Sequence, residues 1–202
     1  MKSSKIFELQ GFSIDLVAAW NKLRSFMFGG SPGRGAGELI QNSIDSYGAS
    51  VPMPKRRIAI TTATNTFSIT DWGSGLSLNK LKLLLTFGGT AKTGKDFAKT
   101  IGQFGIGFYS IFHKDLYAEK VEIISKIEKT EIVKVIFRIT EEDKLPEIEI
   151  NTLDQKSIDF STKVSATFKR TASVQKCLAY SKEAAKNFPC EILINNKLFT
   201  TI

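Results

Sequence analysis

The feature that most limits how this chain can fold is where its glycines fall. Turns at Gly29-Gly30-Ser31-Pro32-Gly33-Arg34-Gly35, at Gly73-Ser74-Gly75 and across 102–107 cut the first half into short segments, because each glycine cluster ends the element before it. Ahead of the first turn, Ile14, Val17, Ala18, Trp20, Leu23 and Met27 recur at helical spacing. They predict a helix over 13–28 with Ser13 or Asp15 at its start. A second helix is predicted over 36–47, ending at Gly48. Strands are expected at 57–62 and 66–71 around the turn Ala63-Thr64-Asn65, then a short helix over 77–85 and another opened by the third glycine turn. The second half reads mostly as strands, at 119–127, 132–139, 147–150, 163–169 and 191–194, with a helix over 173–186 and a turn at Asn195-Asn196. Helix and strand therefore mix without regular βαβ alternation, which makes the chain α+β. No linker or repeat divides it, so one domain over 1–202 is expected.

Bulk chemistry excludes more than it selects. With 42 % hydrophobic residues and 15 Phe, the 202 residues can bury a core. No run of about 18 apolar residues is present, and the first residues, MKSSKIFELQGF, have a Lys but no apolar stretch behind it. Neither a membrane span nor a signal peptide is expected, and the protein reads as cytoplasmic. Cys177 and Cys190 lack metal-site spacing and are expected to be reduced, partly buried thiols. The net charge of +8 fits a nucleic-acid surface, a polyanionic small ligand or simply a basic exterior. Its only clusters are Lys55-Arg56-Arg57 and Lys169-Arg170.

Three segments carry chemistry. In Glu38-Leu39-Ile40-Gln41-Asn42-Ser43-Ile44-Asp45, the residues Glu38, Asn42 and Asp45 are spaced i, i+4, i+7 and share one helix face, while Leu39, Ile40 and Ile44 pack behind it. That face offers a potential base, a neutral oxygen ligand of the kind magnesium accepts beside phosphate oxygens, and a second carboxylate. It is equally an amphipathic helix with a wet polar side. Asp71 closes a strand and is followed by Trp72-Gly73-Ser74-Gly75, so its carboxylate can accept from a ligand amino group while glycine lets the main chain come close. Alone, this turn is a common one. Gly102-Gln103-Phe104-Gly105-Ile106-Gly107-Phe108 then opens an apolar helical stretch, where free amides face an anion. No GxGxxG fingerprint or Walker A loop occurs, so a nucleotide would bind by another route. His113 has no catalytic partner at a telling spacing and reads as a surface or helix-end residue.

In this order, ELIQNSID, DWGSGL and IGQFGIGFYS resemble the successive nucleotide-site motifs of the GHKL (Bergerat-fold) ATPases, which include gyrase, heat-shock chaperones, histidine kinases and MutL. IGQFGIGFYSIF and the lid-like Phe87-Gly88-Gly89-Thr90-Ala91-Lys92-Thr93-Gly94 are most similar to the N-terminal domain of the ninety-kilodalton chaperones. The resemblance implies a two-layer sandwich, a mixed, mostly antiparallel sheet covered on one face by helices, with a lid over 87–101. It implies ATP or ADP with Mg2+ as ligands. Glu38 would be the general base for hydrolysis and Asn42 the magnesium ligand. Asp71 would accept from the adenine amine with support from Thr162, and Asp45 would line the base or ribose. Gly73 and Gly75 would make room for the base and Leu76 would wall it. Gln103, Gly105, Ile106, Gly107 and Phe108 would form the phosphate-holding turn, and Lys92 would reach the phosphates from the lid.

The sequence also departs from the chaperone pattern. Gly37 stands where those proteins carry an arginine, which Arg34 could replace, and Leu78 stands where they often have a lysine. The interval 94–102 is short, and the arginine supplied by a following middle domain is missing. A nucleotide-driven conformational switch with slow or partner-dependent hydrolysis is therefore expected. Its partners would be a protein client, further domains or a second copy on ATP binding. The alternatives are a DNA-linked module like those of MutL, topoisomerase or MORC proteins, or a nucleotide-binding module without turnover.

Overall fold

The computed structural model describes residues 7–9, 12–14, 16–26, 31–77, 80–81, 107–127, 131–141, 144–153 and 158–199. The fold is α+β. Eight strands form one mixed sheet: β3 (Arg57–Thr62), β4 (Thr66–Asp71), β5 (Ala118–Ile127), β6 (Glu131–Arg138), β7 (Glu147–Leu153), β8 (Thr162–Phe168), β9 (Glu191–Ile194) and β10 (Lys197–Leu198). Their spatial order is β10-β9-β3-β4-β8-β5-β6-β7. Only β3 and β9 run parallel; the other neighbours are antiparallel. Helices α1 (Leu16–Phe26), α2 (Arg34–Asp45) and α3 (Thr171–Ala185) accompany the sheet.

Strand alternation sets the core. Ile58, Ile60, Phe67, Ile69, Val121, Ile123, Val135, Phe137 and Ala166 are all buried. In register they occupy one face of the sheet, since directly opposed residues project to the same side. Against that face lie Ala36, Leu39, Ile40 and Ile44 of α2 and Val174, Cys177 and Ala185 of α3. One row breaks the apolar pattern. Asp71 is paired with Thr162, and Thr162 with Ser125, so three polar side chains lie side by side at one end of an otherwise greasy face.

α2 is held close on two sides. A Cβ at Gly33 would fall 2.7 Å from the Lys176 carbonyl oxygen of α3, and one at Gly37 would fall 2.6 Å from the Tyr180 ring. The helix approach thus needs small residues at i and i+4. Its carboxyl end is capped by Arg56, whose guanidinium donates to the carbonyls of Ile44, Gly48 and Val51. Trp20 of α1 meets the rings of Tyr109 and Phe112 edge-on, and Arg24 Nε donates to the Phe112 carbonyl at 2.9 Å.

Several expectations need correction. Ser13 and Ile14 are not helical: β2 (Phe12–Ile14) pairs with β1 (Phe7–Leu9) in a two-stranded hairpin, and the helix begins at Leu16. Pairing with a neighbouring segment overrides a local helical pattern. The helix expected behind the third glycine turn is a 3₁₀ segment, Gly107–Phe112, in which the Ser110 hydroxyl takes the Gly107 carbonyl at 2.5 Å and competes with continued helical bonding. His113 is not at the surface. It is 5 % exposed, and its Nδ1 accepts from the Asp115 amide at 3.2 Å; burial lowers its pKa. Elsewhere the strands lie within a residue or so of their expected bounds, apart from β7, which continues to Leu153. The unforeseen β10 follows a turn in which Asn195 and Asn196 both adopt positive φ. Of the helix expected over 77–85, Lys80 and Leu81 are helical, with the Ser77 hydroxyl accepting from the Lys80 amide, and 78–79 and 82–85 lie outside the described residues. Both cysteines are buried. Burial pushes the Cys177 thiol up to about 12, which makes it a poor nucleophile.

Candidate functional site

α2 ends where the polar row begins, and this junction builds the site. Asp71 is 3 % exposed, so water contributes little to its solvation. Its Oδ1 accepts from the Ser46 hydroxyl at 2.9 Å and from the Gly73 amide at 3.0 Å. Among the described residues no hydrogen bond reaches Oδ2. Burial raises the carboxyl to about 6, against the opposing pull of the Gly73 amide, the Ser46 hydroxyl and Lys80. A buried carboxylate whose second oxygen takes no hydrogen bond from the described residues is a candidate for meeting a ligand donor.

The neighbouring hydroxyls hold one another. Thr162 Oγ1 lies 2.9 Å from Ser125 Oγ, which also accepts from the Leu76 amide at 3.1 Å. Ser161 donates to the Gly73 carbonyl at 2.7 Å, and its amide donates to the Asp71 carbonyl at 2.8 Å. The Tyr47 hydroxyl joins β3 to the Asp71 turn, donating to the Arg57 carbonyl and accepting from the Trp72 amide. The glycines of this turn answer to the chain's own packing. A Cβ at Gly73 would overlap the Ser46 hydroxyl, and Gly75, at φ +72°, faces the Lys126 carbonyl. Leu76 is partly buried and packs on the apolar core.

Glu38 lies toward the opposite end of α2, and Asn42 stands one turn before Ser46. Eight residues of helix separate Glu38 from Ser46, roughly 12 Å at the α-helical rise. Glu38 pairs with Arg34, one turn before it, at 3.5 Å. Its other oxygen lies 2.5 Å from where a Cβ of Gly107 would stand, so a side chain there would have to push the carboxylate aside. Asn42 is exposed. Asp45 accepts from the Gln41 amide nitrogen at 2.9 Å. The Phe108 ring lies in the core against Tyr109, Phe112 and Phe137, which leaves only its main chain to meet a ligand. Lys92, Gln103, Gly105, Ile106 and the lid segment lie outside the described residues.

The structure thus gathers Asp71, Gly73, Gly75, Leu76 and Thr162 at one end of α2, and sets Glu38 against Gly107 toward the other. Ser46, Ser125, Ser161 and Tyr47 were not anticipated. Ser46 had a signal, since it continues the 38, 42 spacing by one further turn; the others are isolated residues with no local pattern. Among the described residues, no group of three or more His, Cys, Asp or Glu could hold a metal. The arginines of both cationic clusters are engaged by the fold. Arg56 caps α2, Arg57 stacks 4.5 Å from the Trp72 ring and pairs with Glu191 at 3.0 Å, and Arg170 lies 3.9 Å over Tyr117. No described helix is long and apolar enough to cross a membrane.

A family model described as histidine kinase-, DNA gyrase B-, and HSP90-like ATPase matches residues 35–171. Chaperone protein HtpG of Campylobacter jejuni subsp. doylei is 34 % identical over 100 residues, covering 44 % of this chain and 16 % of that protein. HtpG of a Sulfurovum species is 38 % identical over 71 residues, covering 29 % of this chain and 11 % of the chaperone. The chain therefore matches only a small part of the length of these relatives. The crystal structure of the ATPase and transducer domains of DNA topoisomerase II from Balamuthia mandrillaris aligns with a TM-score of 0.61 at 14 % identity, over 84 % of this chain and 48 % of that one. That similarity is one of fold.

Proposed function

The chain belongs to the family of histidine kinase-, DNA gyrase B- and HSP90-like ATPases, and from that premise we propose that it binds ATP along α2 and uses it as a conformational switch, with slow hydrolysis. The observation that carries this reading is Asp71, a buried carboxylate with one oxygen held by the protein and the other left to a ligand donor. An adenine exocyclic amine is such a donor. The Thr162–Ser125 pair beside it offers hydroxyls to the rest of the base edge, and Leu76 gives an apolar wall. With the base there, a nucleotide extended along α2 brings its terminal phosphate toward Glu38 and Gly107.

Glu38 then acts as general base, accepting the proton of a water that attacks the γ-phosphorus. Arg34, at 3.5 Å, holds that carboxylate in place. Asn42 would offer its amide oxygen to a magnesium ion, which would supply positive charge to offset that of the phosphates. Gly107 brings the main chain of the 3₁₀ segment against the same carboxylate, so nucleotide occupancy and the position of that segment are coupled. Protein clients, dimerisation and activities of the longer relatives would be consequences of that switch.

Titration calorimetry with ATP and ADP, with and without magnesium, tests the reading. Binding at micromolar affinity that is lost in Asp71→Asn supports it. Absence of binding below millimolar concentrations removes it.

A further inference from the structure

Ser46 sits where α2 ends and the Asp71 turn begins, and it is bonded to both. Its hydroxyl lies 2.7 Å from the Ser43 carbonyl and 2.9 Å from Asp71 Oδ1. Its own carbonyl accepts from the Ser74 amide at 3.1 Å and from the Ser74 hydroxyl at 2.7 Å. The chain also makes room for it, since any side chain at Gly73 would overlap its oxygen. We infer that Ser46 is the positioning residue for nucleotide recognition, fixing the Asp71 carboxylate so that Oδ1 is spent on the protein and Oδ2 faces the base.

This inference rests on the nucleotide reading above. A serine hydroxyl has one proton and here has two acceptors. When Asp71 is ionised, the charge-assisted bond to its carboxylate is the stronger of the two and takes that proton. When Asp71 is protonated, the carboxyl can donate to Ser46, and the serine proton turns back to the Ser43 carbonyl. The hydroxyl thus stabilises the ionised form, the one that accepts an amine. Among the described residues, the titratable groups near Asp71 are Lys80 and Tyr47. Its strand neighbours on the same face, Ile58 and Thr162, do not titrate in this range.

Two measurements on the full chain test this. Carbon-13 NMR of the Asp71 side chain follows its titration without nucleotide, and calorimetry with ADP follows affinity between about pH 5 and pH 9. Ser46→Ala removes a bond to a charged acceptor, which raises the Asp71 midpoint by about two pH units and so lowers affinity at pH 7 by about tenfold. The expected result has three parts. The Asp71 midpoint moves upward from about 6, ADP affinity at pH 7 falls about tenfold, and it recovers toward the wild-type value near pH 9. Ser46→Thr, which keeps the hydroxyl, restores the wild-type midpoint. A purely structural role predicts instead a loss of affinity that is the same at every pH with no movement of the midpoint, and that outcome overturns the inference. Wild-type protein that binds no ADP at any pH, with the midpoint still shifted in Ser46→Ala, overturns the nucleotide reading and the recognition role together. The Ser46–Asp71 bond would then stand as a feature of the fold alone.

Discussion

Asp71 is 3 % exposed and takes two hydrogen bonds from the protein, whereas the Glu38 side chain is 26 % exposed and is steadied by one ion pair at 3.5 Å. These two carboxylates stand toward opposite ends of the same helix, and their surroundings differ in kind. Around Asp71, hydroxyls from α2's end, β5 and β8 are tied into a network that three strands hold in register. Around Glu38 there are a surface arginine and a glycine of a 3₁₀ segment. On the proposed reading, recognition is built into the buried sheet, where pairing over-determines each side chain. Chemistry is then left to a helix surface, where one exposed ion pair is worth about 0.3–0.5 kcal/mol.

The largest expected effect falls at the buried end. Asp71→Asn places a donor where the base presents one, and nucleotide affinity should drop by about a hundredfold or more, as expected when a buried recognition bond is replaced by a clash of donors. The same change should stabilise the fold. Folding raises the carboxyl from 3.8 to about 6, so the protonated form is favoured in the native state. Its stabilising contribution is complete below the unfolded value and is lost as pH rises through about 6. At neutral pH the ionised group costs about 2–3 kcal/mol, and the neutral amide removes that cost. A melting temperature roughly 5 °C higher at pH 8, together with lost binding, is the expected signature. A variant that melts lower would show that the carboxylate is better solvated than its burial implies.

The pH dependence of binding runs in the opposite sense. Because the ionised form accepts the amine, affinity is full above about pH 7 and falls as pH drops through about 6, by about tenfold at pH 5. Calorimetry across that range checks it, and a flat profile would assign recognition to another group. The next effect is on the helix itself. Gly37→Arg drives a Cβ into the Tyr180 ring, and overpacking of this kind costs about 1–3 kcal/mol. Thermal unfolding should show the loss, and it should shrink in a Tyr180→Ala background if the ring is the obstacle.

The contrast between the two ends also explains what could be read in advance. Glu38, Asn42, Asp45 and Asp71 were legible because the chemistry fixes both residue type and spacing within a few positions. Strands β3, β4 and β9 were legible because their turns are marked by composition and their faces by alternation. Ser125 and Thr162 were not legible as a pair, because they become neighbours only through the β5–β8 register. Tyr180 gave no sign of covering Gly37, since helix–helix approach is set by packing between distant segments. The N-terminal hairpin failed for the same reason, a pairing partner outweighing a local helical pattern. Arg56 reads in sequence as part of a basic surface, and only the fold reveals it as the cap of α2.

The smallest effect on binding should come from the exposed end, and it bears most directly on the division of labour. Glu38→Gln keeps the shape of the side chain and removes the base, so nucleotide affinity should stay within about twofold while turnover disappears. Arg34→Ala is gentler. It deletes one half-exposed ion pair, so stability should change by less than about 0.5 kcal/mol and ADP binding should not move measurably. Yet Glu38 has no other ion-pair partner among the described residues, so a carboxylate freed from Arg34 samples more rotamers and spends less time aligned with an attacking water. Single-turnover hydrolysis should slow several-fold in Arg34→Ala at unchanged affinity, and raising ionic strength should slow the wild type in the same direction by screening the pair. Equal rates in both proteins would mean that Glu38 is oriented from elsewhere. The exposed end would then be as firmly organised as the buried one.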